Sequence, residues 1–299
     1  MSIPTFLIEM LNKQYGEEKA NQILNGYQKE RTVSIRVNTL KSDINRILGE
    51  LSKEGIEYEK VPWYKDAVVI KNVKENLIQS LEIYKNGEIY LQSLSSMLPP
   101  LILDPKPNTD ILDMCSAPGG KTTQMAALSE NEAHITACEI NHIRTERLRY
   151  NIEKQGANCI YIMQKDSRYI DNFFSFDKIL LDAPCSGSGT INTNNPKLSD
   201  IFTTKLIKKS ISSQLALLKK AINILKPGGE IVYSTCSILA CENEDIINKA
   251  LLGSNTEIIP IDFNGKEYLP LLPVKIPGTL CVCPDEFFEG FFIAKIRKI

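Results

Sequence analysis

The stretch "DILDMCSAPGGKT" at residues 110–122 joins a short apolar run to a glycine turn and then to a helical pattern. A strand, a glycine turn and a helix in this order are typical of the first unit of a parallel α/β sheet, in which ligands bind beyond the carboxyl ends of the strands. The same alternation predicts further strands at residues 134–139, 159–166, 176–185 and 230–237, with a closing pair at 278–284 and 290–298. We therefore predict an α/β domain built on a doubly wound, mostly parallel sheet.

The predicted helix before the strand at residues 230–237, the fifth strand along the chain, has the clearest pattern. Its apolar residues recur at steps of three or four and form one stripe, and "PGG" at 227–229 is expected to end it. The stripe consists of Ile207, Ile211, Leu215, Leu218, Ile222 and Leu225.

A second, smaller unit precedes this domain. A helical pattern at 4–28 is followed by a strand pattern at 32–40, a helix at 42–55 and a strand-like run at 67–72. These segments predict a small α+β module with its own sheet. No Pro-, Gly- or Ser-rich linker follows them, so we expect residues 1–90 and residues 91–299 to form two parts that pack against each other.

The composition limits the class of protein. The 299 residues have a net charge of −1 and contain eight cysteines and two histidines. A nearly neutral chain is not a wholly basic nucleic-acid binder, although a local cluster of positive charge is compatible with RNA. Because no C-x-x-C pair is present, we expect no metal site. The N-terminus lacks a cationic start and no apolar run approaches membrane length, so we expect a cytoplasmic protein without membrane contact.

Two acidic residues at strand ends point to a nucleoside cofactor. Glu139 ends the second strand 19 residues after Gly120, which is the spacing of the acid that holds ribose hydroxyls in nucleoside-binding α/β folds. Asp166 ends the third strand, where it can accept from an adenine amino group. The turn is neither G-x-G-x-x-G nor a Walker loop, which disfavours dinucleotides and triphosphates and favours S-adenosylmethionine. The alternative is that both acids only cap neighbouring helices.

Two cysteines lie at the ends of neighbouring predicted strands. Cys185 follows the fourth strand in "DAPCSGSG" (182–189) and Cys236 follows the fifth in "YSTCS" (233–237). Both should face the crevice that holds the cofactor. Either cysteine alone would more often be a small buried residue. Together, beside a methyl donor, they favour a reactive pair, although their chemistry alone does not decide which of them attacks.

Three motifs in this order, "LDMCSAPGGKT", "LLDAPCSGSG" and "YSTCS" followed by "ENE", resemble those of the Sun-type (NOL/NOP/Sun) family of RNA cytosine-5 methyltransferases. The resemblance extends from "SIRVNTLK" (34–41) to "GFFIAKIRK" (290–298). It implies a class I S-adenosylmethionine-dependent methyltransferase, with residues 91–299 as the catalytic domain and residues 1–90 as an RNA-binding module. The implied reaction transfers a methyl group from S-adenosylmethionine to carbon 5 of a cytosine in tRNA or rRNA through a covalent cysteine adduct.

The resemblance also implies roles for individual residues. Cys236 is the nucleophile that adds to carbon 6, because carbon 5 alone attacks a methyl donor too weakly, and Cys185 helps to free the product. We expect Asp182 to bind the pyrimidine edge beside the cofactor, and Lys121 to lower the pKa of a nearby thiol. In the family resembled, Glu139 binds the ribose and Asp166 the adenine, and Arg144 also contacts the cofactor. The loop that cradles the methionine part consists of Cys115, Ser116, Ala117, Pro118, Gly119, Gly120 and Lys121.

The sequence leaves open how RNA is held. Seven lysines and one acid lie between residues 196 and 226, either as a solvated helix face or as a track for phosphates. The seven are Lys197, Lys205, Lys208, Lys209, Lys219, Lys220 and Lys226. Arg36 and Asn38 either contact RNA or dock the small module.

Two other functions are weighed against the RNA methyltransferase. One is a non-catalytic RNA-binding or ribosome-assembly factor that keeps the fold. The other, a DNA methyltransferase, is disfavoured because no target-recognition region is inserted after the fifth strand. We therefore expect RNA, and not DNA, as the partner.

Overall fold

The computed structural model describes residues 3–193 and 201–299. Its N-terminal strands are β1 (Val33–Val37), β2 (Tyr58–Lys60), β3 (Ala67–Ile70) and β4 (Ile89–Leu91). Its N-terminal helices are α1 (Thr5–Gly26), α2 (Ile44–Lys53), α3 (Glu75–Ser80) and α4 (Glu82–Lys85). The strands form an antiparallel sheet in the order β2-β3-β1-β4. The predicted separate sheet before residue 90 is therefore present.

Local sequence explains how this sheet is covered. Helix α2 begins after Asp43, whose carboxylate accepts hydrogen bonds from the backbone N–H groups of Asn45 and Arg46 at 2.9 and 3.1 Å. The apolar face of α2 places Ile47 and Leu51 in a cluster with the inward side chains of β1, β3 and β4. Strands β2 and β4 were not predicted, because three residues are too few to show an alternating pattern.

Helix α1 packs on the larger domain instead of on the small sheet. Leu7, Leu11 and Ile23 are buried in the core of the larger domain, and Phe6 stacks on Phe202 with ring centroids 5.9 Å apart. The helix is interrupted at Gly16, whose φ of 77° and ψ of 165° lie in a region accessible almost only to glycine. The predicted domain boundary near residue 90 stays a prediction, although α1, from the N-terminal part, is buried in the core of the larger domain.

Gln14 of α1 and Tyr27, which directly follows this helix, bind loops that come much later in the sequence. The amide of Gln14 donates to the carbonyl oxygen of Ile238 and accepts from the N–H of Ala240, both at 2.9 Å. The Tyr27 hydroxyl donates to the carbonyl oxygen of Ser188 at 2.5 Å. These contacts support the segments that follow the fourth and fifth predicted strands.

The larger sheet is formed, within the described ranges, by β5 (Asp110–Asp113), β6 (His134–Cys138), β7 (Ile160–Met163), β8 (Phe176–Asp182), β9 (Leu225–Thr235), β10 (Thr256–Ile259), β11 (Leu280–Val282) and β12 (Phe291–Lys298). The helices around it are α5 (Leu94–Leu103), α6 (Gly120–Leu128), α7 (His142–Gln155), α8 (Thr204–Ile224) and α9 (Glu244–Leu251).

The pairing of these strands confirms the predicted α/β class with a mostly parallel sheet. Strands β7, β6, β5, β8 and β9 run parallel in that order, and β12 lies antiparallel beside β9. Strands β10 and β11 both pair antiparallel with β12. The carboxyl ends of the parallel strands therefore meet at one edge. Among the helices described, none is both long and apolar enough to span a bilayer.

The structure departs from the predicted pattern in α8 and β10. Helix α8 ends at Ile224, and Leu225 belongs to β9, as does the "PGG" segment that was expected only to end the helix. The buried face of α8 includes Gln214, whose side-chain amide donates to the carbonyl oxygen of Pro184 at 3.0 Å. Ile211 and Leu215, two members of the predicted apolar stripe, are only half-buried. Strand β10 was not predicted.

Candidate active site

The predicted site residues lie at the carboxyl edge of the parallel strands. A cavity of about 330 Å³ at this edge is lined by residues that follow each of the five parallel strands. These residues include Cys115 after β5, Glu139 after β6, Asp166 after β7, Cys185 after β8 and Cys236 after β9. The structure thus brings together residues that are up to 121 positions apart, 236 − 115, in the chain.

The two thiols are in contact. The Sγ atoms of Cys185 and Cys236 are 3.1 Å apart, and both residues are half-buried. Their loops are joined by backbone hydrogen bonds, from Ala183 N–H to Ser234 O at 2.8 Å and from Gly189 N–H to Cys236 O at 2.9 Å. The short segments after β8 and β9 therefore behave as one unit that fixes the thiol pair.

The contact within the thiol pair favours the protonated form of Cys185. The hydrogen bond with Cys236 raises the pKa of Cys185 well above its usual value, and burial raises it further. Cys185 therefore stays protonated at neutral pH, and its S–H group can donate to the sulfur of Cys236 in a contact where either sulfur can be the donor. The expectation that Lys121 lowers the pKa of a nearby thiol stays a prediction.

Asp182 and Lys121 form an ion pair beside the thiols. The Lys121 Nζ is 2.8 Å from Asp182 Oδ2 and 2.8 Å from the Ser96 hydroxyl. Ser234 donates to Asp182 Oδ1 at 2.7 Å. Burial lowers the pKa of Lys121, but the charge of Asp182 and its hydrogen bond outweigh burial and raise it. Lys121 therefore stays a cation. Asp182 lines both the thiol cavity and an adjoining cavity of about 230 Å³, whose lining also includes Lys121, Gln92 and Ser96.

The loop of residues 115–121 is shaped by a glycine and a buried acid. Gly119 has a φ of 111°, and a side chain there would also approach Leu148 Cδ1 at 3.1 Å, so glycine is required. Asp113, which precedes the loop, accepts from the Thr122 hydroxyl at 2.7 Å and from the Cys115 N–H at 3.3 Å. Burial and then the charge of Asp113 raise the pKa of the Cys115 thiol well above its usual value.

The other predicted loop residues tie the loop to its neighbours. The Ser116 hydroxyl donates to the carbonyl oxygens of Asp113 and Cys138, each at 3.0 Å. The carbonyl oxygen of Ala117 accepts from Arg144 Nη2 at 2.6 Å. The smaller cavity is lined by Ala117, Pro118 and Gly120, together with Lys121 and Ser96.

The predicted ribose and adenine acids line the cavity and also make local bonds. Glu139 is almost fully buried, accepts from the Asn141 N–H at 2.8 Å and pairs with Arg144 Nη1 at 3.1 Å. Asp166 accepts from the backbone N–H of Arg168 at 3.0 Å and pairs with its guanidinium at 2.6 Å. Asp166 caps the 3₁₀ turn Ser167–Tyr169, as the capping interpretation expects. Helix α7 is instead capped by Asn141, and Glu139 binds the N–H of that cap residue. Both carboxylates line the cavity, and their binding of a cofactor stays a prediction.

Several residues at the site were not predicted. Ser96 and Ser234 bind the Lys121–Asp182 pair, and Asp113 binds the start of the loop of residues 115–121. Glu242 binds the residue after Cys185. Glu242 lies in "ENE", a stretch that carried the resemblance, and Ser96 lies within the region that the resemblance spans. Nothing in the local pattern gives the role of either residue.

The open question about Arg36 and Asn38 is answered by burial. Arg36 is fully buried, and its guanidinium donates to Gln92 Oε1 at 2.9 Å and to the Thr123 hydroxyl at 3.0 Å. The Asn38 amide donates to the carbonyl oxygens of Gly87 and Gln155, both at 2.8 Å. Both residues therefore dock the small module on the larger domain.

The lysines between residues 196 and 226 divide into two groups. Lys205, Lys208, Lys209 and Lys219 are exposed on α8, whereas Lys220 donates to Ile170 O, and Lys226 pairs with Asp110 and Asp177. Lys197 lies outside the described residues. A phosphate track along α8 stays a prediction for the four exposed lysines.

The sequence matches two protein-family models. Residues 100–297 match a family model described as 16S rRNA methyltransferase RsmB/F. Residues 3–75 match a model described as the ferredoxin-like domain of RsmF/B-like methyltransferases. The two matches correspond to the larger sheet and to most of the smaller one.

Individual relatives are similar over most of the chain. A tRNA (cytosine(49)-C(5))-methyltransferase from Pyrococcus abyssi is 38% identical, over 89% of this chain and 88% of the relative. A ribosomal RNA small subunit methyltransferase F from Shewanella loihica is 37% identical, over 89% of this chain. The match spans only 56% of the Shewanella protein.

Solved structures agree with the fold. A methyltransferase homolog protein from Pyrococcus horikoshii has a TM-score of 0.83 at 34% identity, covering 99% of this chain and all of that one. NSun6 from Pyrococcus horikoshii, solved with SFG, an analogue of S-adenosylmethionine, has a TM-score of 0.88 at 25% identity. That match covers 99% of this chain and 98% of NSun6.

Proposed function

The chain belongs to the RsmB/F family of 16S rRNA methyltransferases, and we propose that it transfers a methyl group from S-adenosylmethionine to carbon 5 of a cytosine in tRNA or rRNA. The observation that carries the proposal is the 3.1 Å contact between the sulfur atoms of Cys185 and Cys236, at a cavity also lined by Glu139 and Asp166. Addition to a pyrimidine and its reversal need a nucleophile and a partner group for its release. A non-catalytic RNA-binding factor gives no reason for this arrangement.

The cavity fits an adenosine cofactor that carries a transferable methyl group. One continuous space is lined by the carboxylates of Glu139 and Asp166 and by both thiols. Glu139 would hold the ribose, Asp166 the adenine and the loop of residues 115–121 the methionine part, with Arg144 fixing Glu139. When bound, S-adenosylmethionine supplies an electrophilic methyl group.

The thiol pair accounts for addition to the base. The sulfur of Cys236 bonds to carbon 6 of the cytosine, and the electron pair of the 5,6 double bond becomes available at carbon 5, which takes the methyl group. Lys121 and Ser234 fix Asp182 beside the pair, where it can bind the pyrimidine edge. The S–H group of Cys185 stabilises the thiolate form of Cys236 before the attack.

The same pair accounts for release. Solvent accepts the carbon-5 proton, and the electron pair of that carbon–hydrogen bond re-forms the 5,6 double bond. The carbon 6–sulfur bond then breaks, and its electron pair returns to Cys236. A hydrogen bond from Cys185 stabilises the departing thiolate. Cys185 therefore assists release, while Cys236 forms and loses the covalent bond.

Trapping the covalent adduct tests these roles. Replacing Cys185 with Ala removes the donor that stabilises the leaving thiolate, so a denaturant-resistant protein–RNA adduct should accumulate with S-adenosylmethionine and cellular RNA. The adduct is measured on a denaturing gel, with labelled methyl transfer followed in parallel. Cys241→Ala, a half-buried thiol on the turn after β9, should turn over as the wild type does.

Two results would overturn the proposal. An adduct that persists in the Cys185→Ala/Cys236→Ala double variant would reject Cys236 as the nucleophile. Transfer of labelled methyl groups to DNA but not to tRNA or rRNA would reject the substrate class. Bisulfite sequencing of the methylated RNA then identifies the modified cytosine.

A further inference from the structure

One buried carboxylate joins the two cysteine loops. Glu242 is fully buried at the end of the 3₁₀ turn Ala240–Glu242. Its Oε1 accepts from the Ser186 N–H at 2.8 Å and from the Gln214 amide at 3.3 Å. Its Oε2 accepts from the hydroxyls of Ser186 at 2.5 Å and Ser237 at 2.7 Å. Ser186 directly follows Cys185 and Ser237 directly follows Cys236, so the carboxylate holds the residue next to each thiol.

The four donors to Glu242 are all neutral. They are one backbone N–H, one side-chain amide and two serine hydroxyls. Burying a carboxylate on neutral donors costs more than burying an apolar side chain of similar size, because the charge loses its hydration without gaining a cation. Stability of the fold therefore does not explain a carboxylate at this position.

The hydroxyl groups beside Glu242 have a fixed direction. A carboxylate only accepts, so Ser237 donates its single proton to Glu242 Oε2 at 2.7 Å. At the 2.8 Å contact between Ser188 Oγ and Ser237 Oγ, Ser188 is therefore the donor, and Ser188 Oγ accepts from the Ile238 N–H at 3.0 Å. Ser237 Oγ also accepts from the Leu239 N–H at 3.2 Å. The position facing Ser237 thus needs an acceptor, and an amide NH₂ group cannot be one.

We propose that Glu242 is a positioning residue for methyl transfer, which holds the loops after β8 and β9 so that the sulfur atoms of Cys185 and Cys236 stay in contact. Its importance for the reaction rests on the function proposed above. Glu242 does not reach the thiols with its own oxygen atoms. It acts through Ser186 and Ser237, each one residue away from a sulfur atom.

The charge of Glu242 also acts on the thiol pair. After the hydrogen bond to Cys236, burial and the electrostatic interaction with Cys236, the negative charge of Glu242 is the next cause of the raised pKa of Cys185. The position and the charge of Glu242 therefore both act on Cys185.

The first test uses no RNA and no cofactor. In Glu242→Gln, we expect the effective concentration of the thiol pair to fall about 10- to 100-fold, because displacements of about 1 Å have effects of that size. It is measured as the Cys185–Cys236 disulfide formed at equilibrium with reduced and oxidised glutathione, identified by peptide mass. Glu244→Gln is the matched control, since Glu244 is a buried acid two residues later, at the start of α9, and accepts from the Lys275 N–H at 3.2 Å instead.

A pH profile separates positioning from support of the fold. Removing the charge of Glu242 should move the alkylation profile of Cys185 by iodoacetamide to lower pH, since a negative charge nearby raises a thiol pKa. Glu244→Gln should leave that profile unchanged. An unchanged disulfide equilibrium together with an unchanged profile in Glu242→Gln would overturn the inference.

The two proposals can fail separately. If the wild type methylates no RNA, the proposed function fails while the glutathione equilibrium still tests Glu242. If it does methylate RNA, Glu242→Gln should lower kcat and leave the affinity for S-adenosylmethionine unchanged. Should Glu242→Gln not fold, Ser186→Ala and Ser237→Ala each remove one donor and should each lower the effective concentration of the pair. Wild-type values in both serine variants would overturn the inference.

Discussion

At the scale of single residues, Asp113 anchors the loop of residues 115–121, and its burial lowers the stability of the folded protein. Its carboxyl group is buried, and it accepts from Thr122 and from the backbone of Cys115. Burial raises the pKa of Asp113 to about 6. In the unfolded chain, an aspartate releases its proton near pH 4. Between these two values the folded state binds the proton that the unfolded state has lost, so the contribution of Asp113 to stability falls as the pH rises through this window.

Asp113→Asn should remove this pH dependence. Relative to the wild type, the variant should gain about 2–3 kcal/mol of unfolding free energy between pH 4 and pH 7, because it has no proton to lose. The measurement is urea unfolding of both proteins at the two pH values. The substitution also removes the hydrogen bonds to Thr122 and Cys115. That loss cancels when only the change in the free-energy difference between the two pH values is compared. A difference that does not change with pH would contradict the assigned pKa.

The Lys121–Asp182 pair makes a second prediction at this scale. Lys121→Gln should leave Asp182 without its cation, which we expect to lower stability by about 1–3 kcal/mol and to reduce methyl transfer strongly. Lys226→Gln is the control, since Lys226 pairs with Asp110 at 2.8 Å in a more exposed position and should cost less than about 1 kcal/mol. Urea unfolding and labelled methyl transfer measure the two effects. Equal changes in both variants would contradict a special role for Lys121.

At the scale of secondary-structure elements, helix α1 depends on a break at Gly16. The break lets one element pack both halves on the larger domain, with Leu7 and Leu11 before it and Ile23 after it. No atom lies within 4 Å of the position that a Cβ would take at Gly16, so its backbone conformation alone requires glycine.

Gly16→Ala should therefore destabilise the protein through its backbone. We expect a loss of about 1–3 kcal/mol, the cost of forcing a non-glycine residue into this region. The control is Gly49→Ala in α2, an exposed position without a close neighbour, where alanine should instead stabilise the helix by about 0.5–1 kcal/mol. Thermal and urea unfolding give the sign in each case. Stabilisation by Gly16→Ala would show that the helix is continuous there.

The order of elements could be predicted from the sequence because most elements have a pattern of apolar residues and end signals within their own segment. The buried strand at residues 179–181 is wholly apolar, and α7 ends at Gly156, a glycine that adopts the left-handed conformation typical of a helix end. Strand β10 could not be predicted, since it is four residues long and only half-buried, and its structure depends on pairing with β12. Short elements of this kind are specified by tertiary contacts.

The same distinction applies to the site. The meeting of Cys185 and Cys236 followed from the rule that parallel strands end at one edge. The contacts of Glu242 could not be predicted, because its donors come from segments near residues 186, 214 and 237, which only the fold brings together. Likewise, nothing local distinguishes a docking Arg36 from one that contacts RNA.

At the scale of the whole molecule, Arg36 connects the small sheet to the loop of residues 115–121, the proposed binding site of the methionine part of the cofactor. It lies on β1 and reaches Thr123 on α6, the helix that begins at Gly120. Its guanidinium is also 5.6 Å from the centre of the Tyr90 ring. The position of the N-terminal module and the shape of this loop are therefore coupled.

Arg36→Lys should loosen that coupling. A lysine cannot keep the fork of hydrogen bonds to Gln92 and Thr123, so we expect weaker binding of S-adenosylmethionine and faster proteolysis between the two sheets. Calorimetry and limited trypsin digestion measure these changes. Arg46→Lys serves as the control, because Arg46 pairs with Glu88 within the small module. Wild-type affinity in Arg36→Lys would contradict the coupling.

The contacts of α1 have a consequence for biosynthesis. Gln14 is translated 224 residues before Ile238, 238 − 14, to which it donates a hydrogen bond. At about 5–20 residues per second, the helix waits roughly 10–45 s for that partner to be made. During this time its apolar side, including Leu7 and Leu11, lacks the surface that covers it in the finished molecule. The apolar side of α1 therefore stays uncovered until the segment around residue 238 has been made, and the thiol site cannot assemble before that point.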